Sequence, residues 1–321
     1  MYRGHTVAVV VPCYNEALQI TKVLDTMPDW IDRIIVVDDC SKDNTSEIVR
    51  QYSTTNPKVK LITHSKNGGV GKAIGTGYIA ARDEGLAITT VMAGDGQMDP
   101  ADLPGLLDPI VDNEMDYCKG NRFKFVKGIE AIPRVRLFGN FILSAITKLS
   151  SGYWHLSDTQ CGYTTINLKA LQQIDLENIY PTYGCPNDIL TKLNIADMRV
   201  GEAAVAPLYN VGERSKMKIP KIILPILRLL LRNYRQRIFQ KYVVRKGHPL
   251  VFAYGFSALG FSVTLILFVY LLAMTLGTGH IPKAALMFFG FGTVTSLHLF
   301  LTALEMDYNE NKHLQIILDR R

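Results

Sequence analysis

Two stretches near the carboxyl terminus limit what this chain can fold into more than anything else in it. Residues 250–276 and 284–304, 27 and 21 long, contain no Asp, Glu, Lys or Arg. About 20 residues of α-helix cross the ~30 Å hydrocarbon layer of a bilayer, so each stretch predicts a transmembrane helix. Helices buried in a soluble core are the alternative, but these rarely run past twenty residues without a charge. Only Gly277–Lys283 separates the two, so they predict a hairpin. His298, inside the second span, is expected to pack against the partner helix rather than relay protons.

The charge distribution agrees with a membrane hairpin. The chain holds 35 Lys and Arg against 29 Asp and Glu, a net +6, and eleven of the basic residues lie in 214–246 with no acidic residue among them. Outside that segment 24 basic residues face 29 acidic ones. One basic stretch beside the first span therefore creates the whole excess. The positive-inside rule then puts both termini on the cytoplasmic side of a two-span protein. Ile222, Ile223, Leu224, Ile226, Leu227 and Leu229–Leu231 alternate with Arg228, Arg232, Arg235 and Arg237. That pattern predicts helices lying in the interface, with apolar side chains in the acyl boundary and arginines among anionic headgroups. A nucleic-acid patch is disfavoured because these charges adjoin the hairpin. Met1–Val11 carries charges and no cleavage-like region, so no signal peptide is expected. The five cysteines are scattered, odd in number and never paired as C-x-x-C, which argues against a disulfide framework or a zinc ribbon and for a reducing compartment.

Before residue 210 short β-rich runs alternate with helical stretches. Strands are expected at 6–11, 33–37, 59–63, 88–92 and 116–119, and helices near 17–27, 44–53, 70–84, 101–113, 134–150 and 187–196. This alternation predicts an α/β fold with a doubly wound, mostly parallel sheet. Ligands of such sheets bind beyond the carboxyl ends of the strands. There the sequence places Pro12-Cys13-Tyr14-Asn15-Glu16, Asp38-Asp39, Asn67–Lys72, Ala93–Pro100 and Gly120-Asn121-Arg122. Asp43 and Pro100 read as helix starts; the five turns together describe a site. Two nucleotide motifs fail. Gly71-Lys72 is followed by Ala73, and Lys66 stands where a P-loop needs its first glycine. Gly75-Thr76-Gly77 matches a dinucleotide fingerprint but falls inside a helix. Neither an NTPase nor a dehydrogenase is expected.

Pro12–Glu16, the Asp38-Asp39 turn, Asn67–Lys72 and Asp95–Gln97 together resemble the family-2 glycosyltransferases of GT-A fold. Within that family the chain resembles the polyprenyl-phosphate glycosyltransferases. The resemblance continues through Arg136–Asn140, Ser157–Tyr163, Gly212–Lys216 and Lys241–Pro249. It implies a catalytic domain over 1–212, interfacial helices over 213–247, spans at 250–276 and 284–304, and a cytoplasmic tail over 305–321. It also implies that Pro12, Tyr14, Asn15, Glu16, Asp39, Lys72, Gly94, Asp95, Gln97 and Lys216 bind the nucleotide sugar. Asp95 and Gln97 would hold Mg²⁺ or Mn²⁺ against the diphosphate. The sequence departs from the family pattern at Ala93, where many relatives carry the first Asp of Asp-x-Asp, and at Asn210, where relatives often have an arginine that Arg214 could replace.

A polyprenyl phosphate acceptor has a second pKa near about 6, so at neutral pH it is largely a dianion and already a nucleophile. Such an acceptor needs cations rather than a base. Arg122 and Arg136 are the expected phosphate ligands, since guanidinium forks match phosphate oxygens, and Asp158 is the expected orienting carboxylate. Direct attack inverts the anomeric carbon. The partners are then a nucleotide sugar, with UDP-sugars favoured, a polyprenyl phosphate and the bilayer; a homo-oligomer is compatible with this. The alternative is a membrane-anchored family-2 enzyme acting on a hydroxyl of a glycan or lipid, which would need a carboxylate base.

Overall fold

The computed structural model describes residues 1–124, 134–206 and 219–318, by backbone alone at 134–142 and 219–223. The chain divides into two compact units, 1–235 with 313–321, and 236–312.

The first unit is an eight-stranded sheet flanked by helices. In chain order it contains β1 (Val7–Cys13), α1 (Ile20–Asp25), β2 (Arg33–Asp38), α2 (Thr45–Thr55), β3 (Val59–Thr63), α3 (Val70–Asp83) and β4 (Ile88–Val91). Then come α4 (Leu103–Val111), β5 (Tyr117–Asn121), α5 (Arg134–Ser151), β6 (Thr164–Asn167), α6 (Leu168–Gln173), α7 (Cys185–Ile195) and β7 (Val200–Ala204). Helix α8 (Ile219–Arg237) follows, and β8 (Gln315–Ile316) closes the unit. The strand order is β3-β2-β1-β4-β6-β5-β7-β8. Only β6 runs antiparallel, to β4 and β5; the other neighbours are parallel. The carboxyl ends of β1 to β5 therefore share one rim.

Burial on both faces makes β1 and β2 near-continuous apolar runs. Val7, Val9 and Val11 of β1 join one core layer with Ile34, Val36, Leu103 and Leu107. Ala8 and Val10 join the other, with Ile35, Val37, Tyr78 and Leu190. Each such side chain contributes about 1.5–3 kcal/mol on burial. The glycines of α3 are a packing device. A Cβ at Gly77 would overlap the Val10 side chain on β1, and one at Gly75 would lie 3.1 Å from the Leu176 carbonyl. Gly77 brings the helix onto the sheet, and Gly75 onto the segment that follows α6.

The five expected strands are present, and four elements were not expected. β6 is short and threonine-rich, with Thr90 and Thr165 hydroxyls bonded at 2.8 Å across the pair. β7 (VGEAA) and the two-residue β8 carry no alternation to read, and α6 is only six residues long. Helix α1 is shorter than expected, Ile20–Asp25, and the Ala17 amide ahead of it donates to Asp43 (3.2 Å). The expected tail at 305–321 is corrected. Residues 305–311 continue a helix, Leu314 is 2% exposed in the core, and β8 pairs with β7. Burial of Leu314 fixes that segment.

The second unit holds a π-helical segment, Ile238–Arg245, and two helices, α9 (Leu250–Thr278) and α10 (Lys283–Asn311). Both helices are long and apolar enough to cross a membrane. Their seam is made of residues seven apart, small in the middle: Leu250, Ser257, Thr264 and Leu271 are buried on α9, and Ser296 and Ala303 on α10. The Ser257 hydroxyl donates to the Ser296 carbonyl (2.9 Å), and a Cβ at Gly260 would overlap Ser296. His298 is exposed, contrary to the expected helix–helix contact, because Ser296 and Ala303 make up the seam face of α10 there. Arg237, expected among headgroups, is fully buried. It forms a two-pronged pair with Asp307, both bonds 2.7 Å. Lys241 is buried beside it and donates to Asn311 (2.8 Å). These charges hold the base of the hairpin together.

Three outcomes follow for stability. Gly77→Ala should destabilise the first unit by about 1–3 kcal/mol through overpacking. Gly105→Ala, where a Cβ meets nothing within 4 Å, should be neutral or stabilise by about 0.5–1 kcal/mol; chemical denaturation of both variants checks the pair. Asp307→Ala leaves buried cations without their carboxylate and should cost about 3–5 kcal/mol, read as loss of folded protein on thermal ramps in detergent.

Candidate active site

The first two rim turns are laced together through their backbones. The Asn15 amide donates to the Ser41 hydroxyl (2.9 Å) and the Glu16 amide to Thr45 (2.9 Å), while the Lys42 amide donates to the Asn15 side-chain oxygen (2.7 Å). Asn15 sits at φ +55°, in the left-handed region that asparagine tolerates. Its side chain thus shapes the turn in which Tyr14 and Glu16 lie half-buried. Asp38 is committed to the Ser41 and Ser46 hydroxyls.

Asp39 is the hub of the third turn. Its carboxylate is 3% exposed and accepts from the amides of Gly68 (2.8 Å) and Gly69 (2.7 Å). His64 Nδ1 stands 2.7 Å from it, with Nε2 3.0 Å from the Thr76 hydroxyl. The Asn67 side chain donates to the Asp39 carbonyl (3.0 Å). On the far side of the loop the Pro181 carbonyl accepts from the amides of Gly71 (2.8 Å) and Lys72 (3.3 Å). Those four amides at the start of α3 are spent on protein acceptors, so the glycine loop is not a phosphate cradle of P-loop type. The Lys72 side chain is exposed.

After β4, the Gly94 amide donates to the Pro12 carbonyl (3.2 Å), and a Cβ there would lie 3.0 Å from that of Cys13. Gly94 therefore lets the β4 turn approach the end of β1. Asp95 and Gln97 are half-buried, and the Gln97 amide donates to Asp95 Oδ1 (3.1 Å). Asp99 accepts from the Ala101 amide (2.9 Å) and starts a helical turn with Pro100. Among the described residues no three His, Cys, Asp or Glu side chains gather as a metal cluster. One carboxylate with one amide oxygen is a thin protein donor set, suited to a hard cation that takes its remaining oxygens from a substrate diphosphate and water.

At the end of β5 four charges are packed together. Arg122 grips Asp158 with Nε (2.7 Å) and an Nη (3.0 Å), and its own amide donates to the same carboxylate (3.2 Å). Glu202 of β7 accepts from the amides of Ser157 (2.7 Å) and Asp158 (2.9 Å), and from the Asn121 side chain (2.7 Å). Lys119, with no exposed surface, donates to the Cys161 carbonyl. Burial pushes the Asp158 carboxyl up, but the Arg122 hydrogen bonds and charge and the Lys119 ammonium outweigh it, leaving Asp158 below the ordinary aspartate range. Burial pushes Glu202 up and Lys119 down.

The rim thus brings together Pro12, Tyr14, Asn15, Glu16, Asp39, Lys72, Gly94, Asp95 and Gln97 on adjacent turns, with Arg122 and Asp158 beyond β5. Arg136 lies on α5, where only the backbone is described, and Lys216, Asn210 and Arg214 lie outside the described residues. His64, Lys119 and Glu202 were missed. His64 could have been found, since it directly follows β3; Glu202 sits in a strand the sequence does not announce.

Comparison with known proteins gives the same reading. The family described as glycosyl transferase family 2 matches residues 8–175, more than half of the chain. A UDP-N-acetylglucosamine–dolichyl-phosphate N-acetylglucosaminyltransferase of Methanococcus voltae is 30% identical over 63% of this chain and 85% of its own. Dolichyl-phosphate beta-glucosyltransferase ALG5C of Trichomonas vaginalis is 31% identical, over 67% and 66%. Among solved structures, glucosyl-3-phosphoglycerate synthase from Mycobacterium tuberculosis superposes with a TM-score of 0.53 at 17% identity, covering 72% of this chain and 80% of that one. That likeness is one of fold, and of GT-A type. The laced rim turns and the sequence match over β1 to α6 lead to one conclusion: the chain is a glycosyltransferase and belongs to glycosyl transferase family 2.

Proposed function

We propose that the chain transfers a sugar, with inversion, from a nucleotide sugar to a polyprenyl phosphate at the cytoplasmic face of a membrane. The observation that carries this reading is the commitment of Asp158 to Arg122. A hydroxyl acceptor needs a carboxylate free to take a proton, and Asp158 is held ionised below its usual range by a guanidinium fork. A phosphate dianion needs no such base, and a fixed cation suits it. The names of the dolichyl-phosphate relatives support the same acceptor, and α9 and α10 would keep the protein where a lipid acceptor lies.

In this reading Pro12, Tyr14, Glu16 and Asp39 bind the nucleoside, Asn15 and Gly94 shape its turns, and Lys72 and Lys216 approach the diphosphate. Asp95 and Gln97 would hold Mg²⁺ or Mn²⁺, which supplies Lewis-acid stabilisation to the leaving diphosphate. Arg122 and Arg136 orient the acceptor phosphate for attack on the face opposite the diphosphate, so an α-linked donor gives a β-linked product. Asp158 sets the plane of the Arg122 guanidinium. A UDP-sugar is the favoured donor, in keeping with the UDP-N-acetylglucosamine named for the Methanococcus relative. Both termini lie on the cytoplasmic side, and homo-oligomers are compatible with this arrangement.

Asp95→Asn should lower transfer at least about 100-fold, as should EDTA on the wild type, with Mn²⁺ restoring the latter only; full activity in both cases would exclude the metal assignment. Arg122→Lys loses the two-pronged geometry and should raise the KM for polyprenyl phosphate about tenfold while the KM for donor stays unchanged, read from steady-state kinetics in vesicles.

A further inference from the structure

The strap Tyr180–Gly184, between α6 and α7, lies between two features of the first unit that are far apart in sequence. One side presses on the glycine loop before α3. The Pro181 carbonyl receives the Gly71 and Lys72 amides. A Cβ at Gly69 would overlap that carbonyl, and one at Gly71 would overlap the Tyr180 carbonyl and lie 2.7 Å from Cys185 Cβ. Gly69 also stands at φ +89°. Loop and strap are thus in backbone contact, without room for a methyl group between them.

The other side of the strap meets α8. A Cβ at Gly184 would overlap Leu229, which is 3% exposed. The Arg232 guanidinium lies 5.9 Å from the Tyr180 ring centroid. Between the two stands Asp188, in the first turn of α7 and 2% exposed. It accepts from the Tyr180 amide (3.0 Å) and from Arg232 (3.2 Å), with Lys192 4.0 Å away. Turned to satisfy its neighbours, the Asn233 amide also donates to Asp188 (3.2 Å). A carboxylate this buried persists only with such donors around it, and two of them come from α8. The outer face of α8 exposes Leu224, Leu227 and Leu231.

We propose that Asp188, gripped by Arg232 of α8, is a positioning residue for donor binding: it fixes the strap against which the glycine loop is held. This rests on the donor reading given above. The loop is clamped between Asp39 on one side and Pro181 on the other, so releasing the strap frees the amides of Gly71 and Lys72 and lets the loop drift from the nucleoside. The reacting atoms are not touched. The loss therefore falls on donor affinity and spares the chemical step.

The test uses the full chain in phosphatidylcholine–phosphatidylglycerol vesicles, with UDP and Mn²⁺ as the calorimetric probe and donor kinetics in parallel. Arg232→Ala, at a half-exposed side chain, should weaken UDP binding and raise the donor KM on the order of tenfold, with kcat within about twofold. Asp188→Asn should do the same, and Arg232→Lys should recover most of the loss. Arg50→Ala, which removes an exposed pair with Glu47 on α2, should change nothing. Unchanged UDP binding in Arg232→Ala, or a loss confined to kcat, overturns the inference alone. Wild-type protein that binds no UDP overturns the donor reading, and the inference with it.

Discussion

A carboxylate removed from water is tolerable only when donors replace the water, and Asp39 is the point from which the site is hung. Unpaired, such a group costs several kcal/mol. Paired with the Gly68 and Gly69 amides and with His64, it becomes a fixed post at the end of β2. The glycine loop must follow the post, and the start of α3 must follow the loop. Gly77 of α3 then lets the helix lie directly on β1. Sheet, helix and loop are one rigid object because a single buried charge had to be satisfied.

The same economy governs the end of β5. Buried Lys119, Asp158 and Glu202 and the half-buried Arg122 supply two charges of each sign. Pairing keeps Asp158 ionised and fixes the Arg122 guanidinium against it. Glu202 spends both oxygens on the 157–158 turn and on Asn121, and so places the residues that hold Arg122. A rim built this way offers fixed cations and committed carboxylates, which favours an anionic nucleophile over one that must first lose a proton.

Much of this was legible in the sequence, for identifiable reasons. Strands β1, β2 and β4 are buried on both faces, and the valines and isoleucines of β1 and β2 announce them. The turns after them carry Asp39, Gly94 and Asp95 within a few residues of each strand end, where a parallel sheet puts ligands. What stayed hidden lacks a local signal. β7 reads VGEAA and β8 is two residues long; neither has periodicity, and each forms against a neighbour already in the sheet, β7 on β5 and β8 on β7. Asp188 and Arg232 are 44 residues apart, and no spacing rule joins them. Arg237 read as an interfacial cation because its partner, Asp307, lies 70 residues on.

The hairpin and the rim make one claim together, that the nucleophile is a phosphate carried by a lipid. The most direct measurement compares two acceptors in vesicles containing the full chain, a labelled nucleotide sugar and Mn²⁺: a polyprenyl phosphate, and the same polyprenol without its phosphate. Label passing to the phosphate alone, as a β-linked sugar, is the predicted result. Equal labelling of the free alcohol, or an α-linked product, would contradict the account.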